Sequence, residues 1–203
     1  MKDTIDYLNA TLALQRDACL TTPYPDLEQR RRDLKAVRVA LQRYQDRLTS
    51  AMSDDFGRRS EFECKMLDVM FPALQIDHAL ANLRRWMKPQ GRRTDWLFTT
   101  NRARVVYQPK GVVGVIAAWN FPIVEAVGPM ITALAAGNRV MIKMSEFSPR
   151  STVVLRDMLA EIFPEDRVAV FGGGIEIAQA FSRLSFDHIV FTGSPTVGKE
   201  IMR

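Results

Sequence analysis

Seven consecutive residues without a polar side chain, Val112-Val113-Gly114-Val115-Ile116-Ala117-Ala118, constrain the fold of this chain most. A strand this apolar fits a parallel sheet covered on both faces. Pro122 then opens a helical pattern that Gly137 closes, with proline just inside the start and glycine just past the end. The alternation continues. Arg139-Val140-Met141-Ile142-Lys143 reads as a strand. Ser148-Pro149 caps a helix reaching Phe163, which Pro164 stops. Val168-Ala169-Val170-Phe171 is a strand, and Gly172-Gly173-Gly174 turns into a short helix. Asp187-His188-Ile189-Val190-Phe191 is another strand, and Ser194-Pro195 starts another helix. Four βα units in succession predict an α/β fold built on a doubly wound parallel sheet.

The first half has a different texture. Leu27, Leu34, Val37, Leu41, Tyr44 and Leu48 form one apolar helical stripe. Arg30, Arg31, Arg32, Arg43 and Arg47 read as its wet face. Asp54-Asp55-Phe56-Gly57 is a break. A second helical stretch covers residues 60–87, with Met66, Met70, Leu74, Leu80, Leu83 and Met87 as expected core and Pro72 expected to end or kink it. Pro89-Gln90-Gly91-Arg92-Arg93 reads as a loop, and Arg104-Val105-Val106-Tyr107-Gln108 as a strand. The predicted organisation is a helical segment over residues 1–104 packed on an α/β unit over residues 105–203.

Composition narrows the classes. The chain has 203 residues, 47% of them hydrophobic, enough for a substantial core. It has no apolar run long enough for a membrane span and no secretory leader pattern. Two cysteines, Cys19 and Cys64, make no disulfide scaffold, so a reduced, cytoplasmic protein is expected. Both lie in the helical half and read as incidental thiols. His78 and His188 are isolated, so no metal site is expected. Charge is uneven. Residues 1–104 carry 19 Lys/Arg against 14 Asp/Glu, whereas the remainder carries nine of each. The densest basic stretch begins at Arg84 and ends at Arg104. It reads as a solvated linker, or as a nucleic-acid or anionic-surface site; no nucleic-acid motif accompanies it.

Chemistry-bearing residues fall at the strand-to-helix junctions, where ligands gather in open α/β sheets. At Trp119-Asn120 an uncharged amide can donate to an oxygen that becomes negative during reaction, or serve as a turn residue. At Lys143-Met144-Ser145-Glu146 a lysine and a carboxylate three residues on can bracket a ribose diol. The plain alternative is a snorkelling lysine and a solvated glutamate. Phe191-Thr192-Gly193-Ser194-Pro195-Thr196-Val197-Gly198 offers a hydroxyl and free N–H groups suited to a pyrophosphate, or a simple helix cap. The glycines at 172–174 permit close backbone approach or a tight turn. The dinucleotide fingerprint G-x-G-x-x-G is not matched, because position 177 is isoleucine.

In order along the chain, Gly111-Val112-Val113-Gly114-Val115-Ile116, Trp119-Asn120-Phe121-Pro122, the stretch from Ala135-Ala136-Gly137-Asn138 to Lys143-Met144-Ser145-Glu146, and Phe191-Thr192-Gly193-Ser194 resemble the aldehyde dehydrogenase superfamily. Asp55-Phe56-Gly57-Arg58-Arg59-Ser60, Leu83-Arg84-Arg85-Trp86-Met87 and Phe186-Asp187-His188 carry a finer resemblance to its class 3-like branch, especially coniferyl aldehyde dehydrogenases. The resemblance implies a Rossmann-like cofactor domain and NAD, with NADP as an alternative. It implies Asn120 as the catalytic oxyanion donor. The implied cofactor-binding set is Ile116, Ala117, Ala118, Trp119, Lys143, Ser145, Glu146, Gly173, Phe191, Thr192, Gly193, Ser194, Val197 and Gly198. Lys143 and Glu146 would hold the adenosine ribose, and Gly193 and Ser194 would meet the pyrophosphate.

The family reaction uses a cysteine thiolate and a glutamate that follow the Gly-Ser junction. That glutamate follows the junction by about twenty residues and the cysteine comes later still, so both are expected beyond Arg203, and Glu200 is too near the junction to be that glutamate. The expectation is therefore an N-terminal cofactor-binding part, truncated before the catalytic domain and inactive alone, of an enzyme that oxidises a small aldehyde, aromatic by the finer match, and forms a homodimer. A non-catalytic dinucleotide-binding module is the competing reading. Two positions depart from the family pattern: Ala118 and Met144 stand where it usually has proline. Each regains a backbone N–H.

Overall fold

The computed structural model describes residues 4–202. Helix α1 (Ile5–Thr21) leads into α2 (Leu27–Asp55), whose N-terminus Asp26 caps by accepting the Gln29 N–H at 2.7 Å. The predicted stripe is the buried face of α2: Leu34, Val37, Leu41, Tyr44 and Leu48 are in the core and Leu27 packs at its edge. The helix breaks where expected. Gly57 and Arg58 take φ of 64° and 87°, and the Arg58 N–H closes back on the Ser53 carbonyl at 2.8 Å.

Arg30 is a correction. It is not on a wet face. It is buried, donating from Nε to the Pro25 carbonyl at 2.9 Å and from Nη1 to the Ala135 carbonyl at 3.0 Å. An arginine that satisfies distant backbone carbonyls leaves no periodic mark in its own helix.

Near Pro72, where an end or a kink is expected, the helix changes type and Pro72 stands in the first turn of a new α segment. Helix α3 (Glu61–Cys64) passes through widened π turns at Lys65–Met70 directly into α4 (Phe71–Trp86). Proline lacks an N–H and crowds the carbonyl one turn back, and a wider turn accommodates both defects. The same widening rotates the buried face away from a straight 3.6-residue repeat. Met66, Met70 and Leu74 are exposed, while Val69, Ala73, Ile76 and Ala79 are buried. Leu83 is in the core, with Leu80 and Met87 packed beside it.

Strands β1 (Gln90–Arg92) and β2 (Ala103–Val105) pair antiparallel as a two-stranded ribbon. A strand thus replaces part of the expected loop at 89–93. The strand expected at 104–108 is cut to its beginning, because Val106 and Tyr107 lie exposed beyond the ribbon.

From here the βα alternation holds: β3 (Val112–Ile116), α5 (Pro122–Ala135), β4 (Arg139–Lys143), α6 (Pro149–Ala160), β5 (Val168–Phe171), α7 (Ile175–Ser182), β6 (His188–Phe191) and α8 (Pro195–Ile201). The four strands are parallel, in the order β5-β4-β3-β6. Val113, Val115, Val140, Ile142, Val168 and Val170 face α2, α4, α5 and α6; Val112, Met141, Ala169 and Phe171 face α1 and α7. Helix α6 stops short of Phe163, since the residue before Pro164 is driven out of helical geometry. Its Ser148 hydroxyl does not cap it. That hydroxyl donates to the Ser145 carbonyl, and the cap is the carboxylate of Asp55 at the end of α2, which accepts from Arg150 N–H (3.1 Å), Ser151 N–H (2.8 Å) and Ser151 Oγ–H (2.7 Å).

Candidate functional site

Register decides what the sheet brings together. Ile116 pairs with both Lys143 and Phe191, and Lys143 pairs with Phe171. The four strands therefore end level, and one further bond prolongs each pairing: Ala117 N–H to Lys143 O at 3.0 Å, Met144 N–H to Phe171 O at 2.9 Å, and Thr192 N–H to Ile116 O at 3.1 Å. The four junctions singled out from sequence leave one edge side by side. The chain winds outward from β3 through β4 to β5 and then returns to the other side of β3. The crevice between β3 and β6 is thus a topological switch point.

Asn120 sits at the mouth of that crevice. Its side chain is exposed and has no hydrogen-bond partner among the described residues, whereas its carbonyl accepts from Arg59 Nη1 at 2.5 Å. Phe121 is the residue before the helix but supplies no side-chain cap. The first free N–H groups of α5, on Ile123 and Val124, are taken by Asp68 Oδ1 at 3.1 and 3.0 Å. Burial raises the Asp68 carboxyl above the ordinary aspartate range, against the N–H donors and the Arg59 charge, which pull it down. Trp119 is exposed, its ring 6.0 Å from Phe56. Ala118 is partly exposed beside it. Ile116 and Ala117 belong to the sheet, with side chains packed on opposite faces.

Lys143 does not snorkel. It is 2% exposed, and its Nζ donates to the carbonyls of Met144 (2.7 Å) and Gly173 (2.8 Å). A buried ammonium needs such partners. It joins the end of β4 to the β5–α7 turn, where Gly173 has φ of 88°. The N–H that Met144 carries in place of proline is the one bonded to Phe171, and its side chain is in the core. Ser145 Oγ accepts the Phe147 N–H at 3.3 Å. Glu146 is exposed, without a partner among the described residues.

At the fourth junction Ser194 Oγ accepts the Val197 N–H at 3.3 Å, so this hydroxyl caps α8. The Phe191 ring folds over the turn. A Cβ on Gly193 would stand 2.4 Å from that ring, and one on Gly198 3.4 Å. Thr192 is half-buried, and Val197 is exposed.

Sequence reasoning missed three contributors: Arg59, Asp68 and Asp55. Each reaches its partner across more than fifty residues of chain, so the local sequence does not show its role, although Asp55 and Arg59 stand in the stretch that carries the finer resemblance. Cys19 packs in the cluster beneath α1 and α7, and Cys64 is buried near Arg59 and Asp68. Burial pushes both thiols up, which opposes thiolate formation. His188 lies beside Lys110, and His78 beside Trp86.

The fold and the edge define a class: an open, doubly wound α/β unit whose polar groups converge at its switch point. Residues 13–203 match the aldehyde dehydrogenase family, and the chain belongs to it. It is 48% identical to a probable coniferyl aldehyde dehydrogenase of Pseudomonas aeruginosa, over 98% of this chain and 42% of that protein. It is 36% identical to a coniferyl aldehyde dehydrogenase of a Pseudomonas species, over 98% of this chain and 41% of that one. A substrate-bound Staphylococcus aureus AldH superposes with a TM-score of 0.92 at 28% identity, covering 96% of this chain and 42% of the other. A Mycobacterium tuberculosis aldehyde dehydrogenase complexed with NAD+ gives 0.86 at 26%, covering 98% and 41%. The chain thus spans about two fifths of the length of the relatives it matches.

Proposed function

We propose that this chain is the dinucleotide-binding portion of an aldehyde dehydrogenase that oxidises an aromatic aldehyde of the coniferyl type to its acid, with NAD as acceptor. The observation that carries the reading is the level ending of β3, β4, β5 and β6, which sets Asn120, Lys143, Glu146, Gly173 and Ser194 along one edge at the switch point. The dinucleotide fits the groups found there. The Glu146 carboxylate faces solvent and can accept from a ribose diol, Lys143 fixes the turn beside it, and the residues at 192–194 border the crevice. When bound, the nicotinamide supplies the hydride acceptor. The chain's part is to orient it, with Trp119 and Ala118 as wall, and to stabilise charge. Asn120 donates its side-chain N–H to the aldehyde oxygen as that oxygen becomes negative. Cytoplasmic residence, a homodimer and a division at residue 104 complete the proposal; among the described residues no helix is long and apolar enough to cross a membrane.

The test is NAD(P)H formation from coniferyl aldehyde by the protein expressed from its full reading frame, with Asn120→Ala beside it. The variant should lose about 10²- to 10³-fold in kcat, the usual cost of one oxyanion donor. Its melting temperature should barely move, because its side chain has no partner to lose. Near-normal turnover with a large loss of stability would instead make Asn120 a structural turn residue. Calorimetry with NAD and NADP, on wild type and Glu146→Gln, tests the ribose contact.

A further inference from the structure

We infer that Arg59 is a positioning residue for Asn120, holding the turn that carries the amide through a bond to its carbonyl. The inference rests on the oxyanion role proposed for Asn120. An exposed side chain on a strand-to-helix turn has no fixed direction unless the backbone beneath it is fixed, and here the fixing comes from the helical half of the chain. Arg59 Nη1 donates to the Asn120 carbonyl at 2.5 Å, and Nη2 donates to Glu63 Oε1 at 2.9 Å. The guanidinium lies between two aromatic rings, 5.1 Å from the centroid of Phe56 and 4.5 Å from that of Phe121. Phe56 in turn lies against Trp119. One neighbour of Asn120, Phe121, therefore stacks on the group that binds its carbonyl, and the other, Trp119, is linked to that group through Phe56. Asp68 pins the chain one step later through Ile123 and Val124.

This arrangement differs from an anion-binding arginine. The Arg59 side chain is only 11% exposed, and both terminal nitrogens are committed to the protein. What it can do is fix the peptide plane between Asn120 and Phe121, and with it the direction of the amide. Lysine is a poor substitute, having neither the planar fork nor the stacking face.

The experiment is a double-mutant cycle in the protein expressed from its full reading frame. Arg59→Met keeps the packing between the rings and removes the donors. It should lower kcat for aldehyde oxidation about 10- to 100-fold, the scale set by misplacing a reacting group by an ångström or less. KM for NAD should stay near wild type, since Lys143 and Glu146 are untouched. In the Asn120→Ala background the same change should have no further effect on kcat, because there is no amide left to aim. Arg59→Gln, which retains one donor, should recover part of the loss. Losses that multiply in the double variant, or wild-type kcat in Arg59→Met, would overturn the inference while leaving Asn120 its role. Normal kcat in Asn120→Ala alone would overturn the oxyanion reading, and the positioning role with it. A fall in catalysis confined to the unfolded fraction of Arg59→Met, measured by titrating folded sites with NAD, also counts against it.

Discussion

Removing the Asp55 side chain should unfasten α6. The carboxylate accepts three hydrogen bonds at that helix start: Arg150 N–H at 3.1 Å, Ser151 N–H at 2.8 Å and Ser151 Oγ–H at 2.7 Å. In Asp55→Ala, water can replace it at Arg150, which is exposed. It cannot at Ser151, which is wholly buried. An unsatisfied buried donor costs about 1–3 kcal/mol, and loss of a cap about 0.5–2 kcal/mol. The combined expectation is about 3 kcal/mol. For a chain of this size each kcal/mol moves Tm by roughly 2–4 °C, so a fall of about 6–12 °C should follow. The measurement is urea unfolding followed by circular dichroism, with Asp55→Asn as companion. The amide keeps an acceptor without the charge and should lose about half as much. A Cm for Asp55→Ala that converts to less than 0.5 kcal/mol of destabilisation, at unchanged m, would refute this account of how α6 begins.

Three further outcomes are expected. Gly137 has φ of 91° and a Cβ there would stand 2.7 Å from the Arg30 guanidinium, so Gly137→Ala should destabilise the fold by at least about 2 kcal/mol, read in the same urea titration. Asp68 titrates higher folded than unfolded, so its ionised form costs stability, and that cost disappears as pH falls through the raised value to the ordinary one; wild type should therefore gain stability relative to Asp68→Asn on acidification, and a gap that widens the other way would contradict it. Cys64 is buried and both thiols are pushed up, so alkylation at neutral pH should be slow for Cys19 and slower for Cys64, and Cys19→Ala and Cys64→Ala should leave aldehyde turnover unchanged.

What the sequence made legible was whatever repeats locally. The strand alternating between two packed faces, the Pro122 start and the Asp54-Asp55-Phe56-Gly57 break all follow from neighbours within a few residues. Helix α1 was not legible, because two of its inward positions are polar: Thr11 and Gln15 are buried, and Gln15 Nε2 donates to the carbonyls of Val140 and Glu165. Such a helix lacks the stripe that periodicity detects. The same limit hid Arg30, Asp55 and Asp68, polar residues whose partners belong to other elements. At the site, the junctions could be found from the sequence, but their level alignment could not, since register is a property of pairs of strands.

The seat of α1 has a consequence for how the chain is made. The two carbonyls that bind Gln15 lie 125 and 150 residues further along. At about 5–20 residues per second, a ribosome needs roughly 8–30 s between delivering the side chain and delivering its last acceptor. During that interval Leu8 and Leu12, later wholly or nearly wholly buried against Met141 and Phe171, have no surface to rest on. Helix α1 thus docks fully only after Glu165 has been made. One face of the nascent sheet is open until it does, which makes this the interval in which a holding chaperone, or a neighbouring nascent chain, meets the protein.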